Sequence, residues 1–392
     1  MRLAHIADPH LGFRQYHRLT ERGRNQREAD VSLAFTRAID GVIAERPDIV
    51  VVAGDLFHAA RPTNSAILQA VREFSRLGRA LPGVPVVLIA GNHDTPRSTE
   101  TASIFGLFHE LGLLIATDAP RRFAFPELDL AILAVPHQAL EQTPRPAIEP
   151  LGDASQQVLL IHGEIPALFP NSAAEGEPGG AMLTPEELRG PWSYVALGHY
   201  HVQCAVGERQ WYAGSLDYCS SNPWGECRTE RAQGVAGKGW LLYDSVTGDV
   251  SRRPIEAPRR VFDLPALRAA DLNASELDRL LAEAVEGAPG GIAGAVVRQV
   301  VLDVARPVAR ELNHARIRAW KAEALHFQLD LRRPEPVAHL VGVGAPGVRQ
   351  TLPDIVRSYT DARVLPAEIE RPRFVARALE FLAAVDPVTD DG

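Results

Sequence analysis

The residues of this chain that could do chemistry follow apolar segments. Residues 50–53 form one apolar run, Gly54 makes a turn possible, and Asp55 and His58 come next. Such a run predicts a strand buried on both faces, and open α/β sheets place their ligand chemistry at the carboxyl ends of such strands. Asp55 taken alone is also compatible with a simple turn cap, so the choice depends on the other strand ends.

The same arrangement recurs at each predicted strand end in the first two hundred residues. A single histidine at such an end usually makes a structural hydrogen bond. Five ends that carry ligand-type residues instead favour a shared metal centre, and six of the 13 histidines belong to this set. Its members are Asp8, His10, Asp55, His58, Asn92, His93, Asp94, His162, His199 and His201.

The donor types indicate which ions the centre takes. Oxygen and imidazole donors suit Mn²⁺, Fe²⁺ or Zn²⁺ better than Cu⁺, and Cys204, Cys219 and Cys227 lack the spacing of a thiolate site. Seven ligand groups are too many for one tetrahedral ion. They predict two ions about 3.5–4 Å apart, the arrangement that serves phosphoester cleavage. The outer residues of Asp8-x-His10 and His199-x-His201 should face one site if these tripeptides are extended.

The elements that position these residues alternate between strand and helix. Apolar runs predict strands over residues 3–7, 49–53, 84–90, 128–135, 158–161 and 194–197, and helical periodicity spans residues 28–45 and 64–81. Asn64 is the predicted cap of the second helix. This order predicts an α/β fold with right-handed crossovers. Segments 202–212 and 239–243 are predicted to close the sheet as antiparallel strands.

The character of the sequence changes near residue 256. Segments 296–303, 308–325 and 327–331 predict strand, helix and strand, hence a smaller α+β domain. Helical periodicity also covers 272–285, with Ser275 as its predicted cap. Two short amphipathic helices, over 352–360 and 373–385, end the sequence and suit either a core or a docking element. We therefore predict domains at 1–256, 257–348 and 349–392.

Composition restricts the class of protein. With 392 residues, 46% hydrophobic and 23% charged, the sequence is that of a globular chain of two or three domains. Its net charge of −8 argues against a non-specific nucleic-acid coat. Arg2, His5 and Asp8 interrupt any apolar signal segment, and no apolar run approaches the roughly 20 residues of a membrane span. We expect a cytoplasmic location.

The motifs in their order resemble the calcineurin-like metallophosphoesterase superfamily over about residues 1–245. Finer features resemble its branch of DNA repair nucleases typified by the bacterial SbcD subunit, although Pro9 replaces a small polar residue common there. The matching motifs are Asp8-x-His10-Leu11-Gly12, Gly54-Asp55-Leu56-Phe57-His58, Gly91-Asn92-His93-Asp94, His162, Gly198-His199-x-His201 and Gly214-Ser215-Leu216.

The resemblance implies a β-sandwich core flanked by helices, with a smaller capping domain and C-terminal helices. It also implies two divalent metals, with Mn²⁺ favoured over Fe²⁺, Zn²⁺ or Mg²⁺, and Asp55 shared between them. One metal would be held by Asp8, His10, Asp55 and His201, and the other by Asp55, Asn92, His162 and His199. His93 would stabilise the leaving oxygen, with Asp94 orienting its ring, and His58 would contact the phosphate.

The function so implied is a two-metal phosphodiesterase that acts on DNA. It would be an exonuclease or endonuclease in double-strand break or hairpin processing, dimeric, and bound to an SbcC-type ATPase through the C-terminal helices. One alternative is a phosphoesterase for a small diester or monoester. Another is a non-catalytic binding module with a degenerate site, against which the intact ligand set argues.

Overall fold

The computed structural model describes residues 1–95, 103–150, 152–166, 179–235, 237–334, 351–361 and 369–385. Two compact units divide the chain, Met1–Arg333 and Pro334–Gly392. The domain boundary after residue 256 stays a prediction, and the one after residue 348 falls outside the described residues. Within the described ranges, each helix is too short or too polar to cross a membrane.

The strands fall into three sheets. Their bounds are β1 Arg2–Ile6, β2 Ile49–Ala53, β3 Val86–Ile89, β4 Leu114–Ala116, β5 Arg121–Phe125, β6 Leu130–Val135, β7 Gln156–His162, β8 Tyr194–Gly198, β9 Cys204–Gly207, β10 Gln210–Tyr212, β11 Gly239–Asp244, β12 Val250–Pro254, β13 Val261–Asp263, β14 Leu267–Arg268, β15 Val296–Leu302 and β16 His326–Leu331. The first two sheets have the orders β12-β11-β1-β2-β3-β4 and β5-β6-β7-β8-β10-β9.

The helices lie outside these sheets. Their bounds are α1 Gln26–Glu45, α2 Asn64–Ala80, α3 Gly106–His109, α4 His137–Leu140, α5 Pro223–Ala232, α6 Ala274–Glu286, α7 Arg306–Glu311, α8 His314–Glu323, α9 Leu352–Asp361 and α10 Arg371–Val385, with a 3₁₀ turn at Pro126–Leu128.

The two six-stranded sheets pack face to face, which gives the predicted sandwich. Alternate residues of β2 divide between two cores, because successive strand side chains point to opposite faces. Val51 packs against the second sheet with Ile132 and Leu160, whereas Val50 and Val52 pack under α1 and α2 with Phe35 and Phe74. The outer face of the second sheet is covered by α4 and the segment around Leu183 and Leu188. The result is a four-layer α/β arrangement.

Strand direction brings the functional ends together. Strands β1, β2 and β3 are mutually parallel, and so are β6, β7 and β8. Their carboxyl ends therefore share one edge of each sheet. The closing strands differ from the prediction, since segment 202–212 is a hairpin in which β10 runs parallel to β8 and antiparallel to β9, while β11 is antiparallel to β1 as expected.

Two predicted helix caps are wrong by one or two positions. The side chain of Thr63, not Asn64, accepts the amide of Ala66 at the start of α2. Asn273, not Ser275, caps α6 in a capping box with Glu276. Both segments offer several residues of capping type, and the position at which the backbone leaves the extended region decides which one serves. The predicted helix over 308–325 is broken into α7 and α8.

A smaller sheet follows within the first unit. Strands β13, β14 and β16 each pair with β15, all in parallel, and a separate core forms beneath them around Leu281, Val301 and Trp320. Helix α5 joins this sheet to the sandwich. This helix was not predicted, because it lies in the aromatic, glycine-rich insertion and has little amphipathic pattern.

Candidate metal centre

Side chains from both sheets converge at the shared edge. Asp8 and Asp55 follow β1 and β2, Asn92 follows β3, His162 ends β7, and His199 follows β8. The backbone loops after β1 and β2 are bonded to each other, with the His10 amide donating to the Asp55 carbonyl at 2.9 Å and the His58 amide to the Leu11 carbonyl at 3.1 Å. The sandwich core therefore fixes the spacing of the ligand loops.

Two clusters of donor atoms share Asp55. In the first, carboxylate oxygens of Asp8 and Asp55 lie within 4.8 Å of a His10 ring nitrogen, and the Nε2 atoms of His10 and His201 are 3.0 Å apart. In the second, Asp55 groups with His162 and His199. Asp55 Oδ2 lies 3.8 Å from His10 Nε2 and 3.3 Å from His162 Nε2. Asp55 thus stands between the two clusters.

Asn92 completes the second cluster. Its Oδ1 lies 2.9 Å from His162 Nε2 and 3.1 Å from His199 Nδ1. His162 Nδ1 lies 2.8 Å from the Ala53 carbonyl, and because a carbonyl only accepts, this nitrogen carries the proton. His162 Nε2 is therefore the candidate ligand atom, and the ring is oriented through its second nitrogen, as the rings of metal-bound histidines usually are.

Backbone strain accompanies these positions. Asp8, His10 and Asp55 have φ of 48°, 47° and 48°, and His199 has φ of 103°, values that non-glycine residues rarely adopt. Such strain costs energy and concentrates at functional sites. The extended geometry expected for Asp8-x-His10 is wrong, since both outer residues are left-handed. Their side chains converge all the same, because the left-handed turns, rather than the strand period, aim them inward.

The electrostatics of the centre suit bound cations. Burial raises the pKa of Asp8 to about 7, against the opposing influence of His162 and His201. Burial would also raise the pKa of Asp55, but His162, His10 and His93 outweigh it and hold that pKa well below its usual range. Burial disfavours the charge on His162, yet Asp55 raises its pKa to about 9. Buried carboxylates and imidazoles are thus held together by shared protons, which a divalent ion can replace.

The loop at residues 91–94 is tied to the loop after β2. The Asp94 carboxylate accepts the amides of Leu56, Phe57 and Gly91 at 2.9, 2.8 and 3.3 Å. Burial and the charge of Asp55 raise the Asp94 pKa to about 7. His93 donates its amide to Asp55 Oδ1 at 2.8 Å, and its Nδ1 lies 2.9 Å from the His58 carbonyl. The sequence predicted that Asp94 orients the His93 ring. The structure places the His58 carbonyl in contact with that ring as well.

His58 and His93 lie side by side at the entrance of the centre. Their rings stack at 5.0 Å and both are half-buried, with ring nitrogens grouped with that of His10. This position is compatible with contact to a substrate phosphate.

Among the described residues, several others near the centre were missed by the sequence analysis. Glu226 and Lys238 form a buried ion pair beside His201, and nothing in the local sequence distinguishes them from surface charges. His137 follows β6 and lies with its ring 6.3 Å from that of His162. The rule applied to the other strand ends would have found His137, because it comes two residues after an apolar run.

Most arginines of residues 14–27 make ion pairs or hydrogen bonds with other residues of the chain. Arg14 pairs with Glu28 at 2.7 Å and Arg27 with Asp30 at 2.9 Å, while Arg18 donates to the carbonyls of Ala322 and Ala324. This segment therefore joins the sandwich to the smaller sheet.

Comparison with known proteins gives consistent matches. The profile of the calcineurin-like phosphoesterases matches residues 1–203. A protein named DNA double-strand break repair protein Mre11 from Sulfurisphaera tokodaii is 31% identical over 258 residues, which cover 63% of this chain and 60% of the relative. Proteins of the same name from Methanococcus maripaludis and Saccharolobus solfataricus are 28% and 26% identical, over 66% and 60% of their lengths. This chain thus spans about three fifths to two thirds of these relatives.

Proposed function

We propose that this chain, which belongs to the calcineurin-like phosphoesterase family, is a metal-dependent phosphodiesterase that cleaves DNA. The single observation that carries the proposal is the pair of donor clusters that share Asp55. Hard oxygen and imidazole donors fit two divalent cations, and the left-handed backbone at four of the ligand positions fits a site whose geometry is imposed by the fold.

The proposed ligands divide between the two clusters. Asp8, His10, Asp55 and His201 would hold one ion, and Asp55, Asn92, His162 and His199 the other. Mn²⁺ is the ion we propose, by resemblance to the branch of DNA repair nucleases, and the oxygen and imidazole donors suit Mn²⁺, Fe²⁺ or Zn²⁺ better than Cu⁺. When bound, two such ions supply water activation and charge neutralisation at phosphorus.

The chain's own residues would orient the substrate and donate one proton to the leaving oxygen. His93 Nδ1 donates to the His58 carbonyl, so the doubly protonated ring would use Nε2–H to donate a proton or hydrogen bond to the leaving oxygen and would end as the neutral imidazole with its proton on Nδ1. His58, stacked on that ring, would contact a phosphoryl oxygen. Asp94 would act indirectly. Its carboxylate accepts backbone amides of the loops that carry Asp55 and His93, and these hydrogen bonds hold the two loops in position.

The DNA substrate is proposed from the relatives. The relatives named above are DNA double-strand break repair proteins by name, so linear duplex ends and hairpins are the proposed targets, by exonuclease or endonuclease cleavage in the cytoplasm. A homodimer and an SbcC-type ATPase partner are part of the same proposal. Phe374 and Phe381 of α10 are 42% and 60% exposed, which supports docking through the C-terminal helices.

A substrate panel tests the proposal. Linear duplex and hairpin DNA are incubated with the protein and Mn²⁺, alone and with the ATPase subunit, and bis-p-nitrophenyl phosphate serves as a generic diester. A matched His93→Ala variant controls for contaminating nucleases. Cleavage of DNA that is lost in the variant supports the proposal. Cleavage of the small diester alone would favour the alternative function, a phosphoesterase for small substrates.

A further inference from the structure

We infer that Glu226, held by Lys238, is a positioning residue for His201 and tunes the metal cluster to which His201 belongs. The inference rests on the proposed metal role of His201. It concerns a buried network on α5 and on Lys238, the residue before β11, that lies outside the family motifs found in the sequence.

The ring of His201 faces two different environments. Its Nε2 lies 3.0 Å from His10 Nε2, so these two nitrogens point at the same position and Nε2 is the ligand atom. Its Nδ1 lies 3.8 Å from Glu226 Oε1. At this distance the carboxylate acts on the ring as a nearby negative charge, which favours a proton on Nδ1 and makes the ligand nitrogen more basic.

Glu226 is itself held in place on both oxygens. The Ser220 hydroxyl donates to Oε1, and the Lys238 ammonium donates to Oε2. Lys238 also donates to the backbone carbonyl of His201 at 2.9 Å. One ammonium group therefore fixes both the main chain of His201 and the carboxylate that faces its ring.

The charge of this network favours a cation next to it. Lys238 also pairs with Glu230 Oε1 at 3.0 Å, and all three side chains are at most 5% exposed. Two carboxylates and one ammonium leave a net charge of −1 in a buried place, where the effective dielectric is low and charge interactions are strong. Of the two carboxylates only that of Glu226 lies beside the His201 ring, so it is the charge of Glu226 that would favour a cation on the other side of that ring.

Contacts of α5 with the smaller sheet hold the helix, and with it the network around Glu226, in place. Arg228 pairs with Asp263 of β13 at 2.9 Å, and Arg298 of β15 lies 5.0 Å from the Trp224 ring centroid. Trp224 also packs with Val296 and Leu325. Glu226 thus projects from a helix wedged between the sandwich and the smaller sheet, rather than from a free loop.

The test is calorimetric titration of the metal-free full chain with Mn²⁺, comparing Glu226→Gln with a matched Glu230→Gln variant. Both changes keep side-chain shape and remove one charge from the same network, but only Glu226 faces His201. We expect Glu226→Gln to weaken one of two Mn²⁺ sites by about 10- to 100-fold with the other site retained, and Glu230→Gln to stay within about threefold of the unmodified protein. The melting temperature of each metal-free variant reports folding separately.

A milder variant tests the same inference if Glu226→Gln does not fold. Ser220→Ala removes one hydrogen bond to Glu226 and should weaken the same site by about fivefold. Equal losses in both glutamine variants, or unchanged Mn²⁺ binding in Glu226→Gln, would overturn the inference. Failure of the unmodified protein to bind two Mn²⁺ ions would instead overturn the proposed function, so the two failures are distinguishable.

Discussion

The Nε2 atoms of His10 and His201 lie 3.0 Å apart, although 191 positions separate the two residues in the chain. His10 follows a strand of the first sheet and His201 follows a strand of the second. Two ring nitrogens can face each other this closely only if a proton or a cation lies between them. This contact ties the candidate metal centre to the packing of the two sheets of the sandwich.

Replacing Asp55 should remove both metals. Asp55 lies between the two clusters, with Oδ2 near both His10 and His162. Asp55→Asn should therefore lose both ions, whereas His10→Ala and His162→Ala should each weaken mainly one. Metal analysis of the three purified variants checks this. Retention of one full equivalent of metal by Asp55→Asn would assign the bridge to another residue.

His93 should matter for turnover and not for metal content. Its amide bonds to Asp55, but its ring is held by the His58 carbonyl. His93→Ala keeps the amide and removes the ring, so diester hydrolysis should fall by about 10²- to 10⁴-fold with two metals still bound. The measurement is kcat together with metal stoichiometry on the same sample. Loss of metal along with activity would identify His93 as a ligand.

Asp94 should behave differently from His93. Its carboxylate holds three backbone amides of the loops after β2 and β3, and removing such a buried acceptor leaves those donors unpaired. Asp94→Ala should thus lower metal binding and the melting temperature as well as turnover. A variant that loses turnover alone, as expected for His93→Ala, would restore the simpler role of orienting the His93 ring.

Gly91 should be intolerant of any side chain. A Cβ there would overlap the Asp55 carboxylate and the Asp55 amide. Gly91→Ala should displace Asp55 and weaken both metal sites in a calorimetric titration. Gly78 in α2 is a matched control, because a Cβ there meets no atom within 4 Å. Gly78→Ala should leave metal binding unchanged and stabilise the protein by up to about 1 kcal/mol.

The contact between the sandwich and the smaller sheet should be sensitive to acid. Burial would raise the pKa of Asp30, but its contacts with Arg259, Arg27 and Gln26 outweigh burial and lower it. A carboxyl with a depressed pKa in the folded state stabilises the fold above its unfolded value near about 3.9, and this stabilisation is lost as the pH falls through the folded-state pKa.

Asp30→Asn should therefore destabilise the protein by about 3 kcal/mol near pH 7, and the difference should shrink below about pH 4 and close as the pH falls through the lower folded-state pKa. Denaturant unfolding at several pH values measures it, with the exposed Asp271→Asn as control. A gap that persists unchanged at low pH would mean that Asp30 contributes through shape and not through charge.

The sequence by itself predicted the ligand-type residues that the fold brings to one edge. Ligand types that follow short apolar runs are a local pattern, and parallel strands bring their carboxyl ends to one edge whatever the details of packing. Strand β2 was predicted with its observed bounds, since a run of β-branched residues between a proline-containing turn and a glycine leaves little choice. The ten candidate residues were found in the same way.

Only the tertiary structure decided how these residues meet. The left-handed backbone at Asp8, His10 and Asp55 is imposed by hydrogen bonds between loops distant in sequence, so a local period could not predict it. The pairing of Glu226 with Lys238 next to His201 depends on where α5 packs. A glutamate on the surface and a glutamate buried beside a candidate ligand are the same residue in the sequence. Only the fold determines whether water or protein surrounds its charge, and therefore how strongly that charge acts on its neighbours.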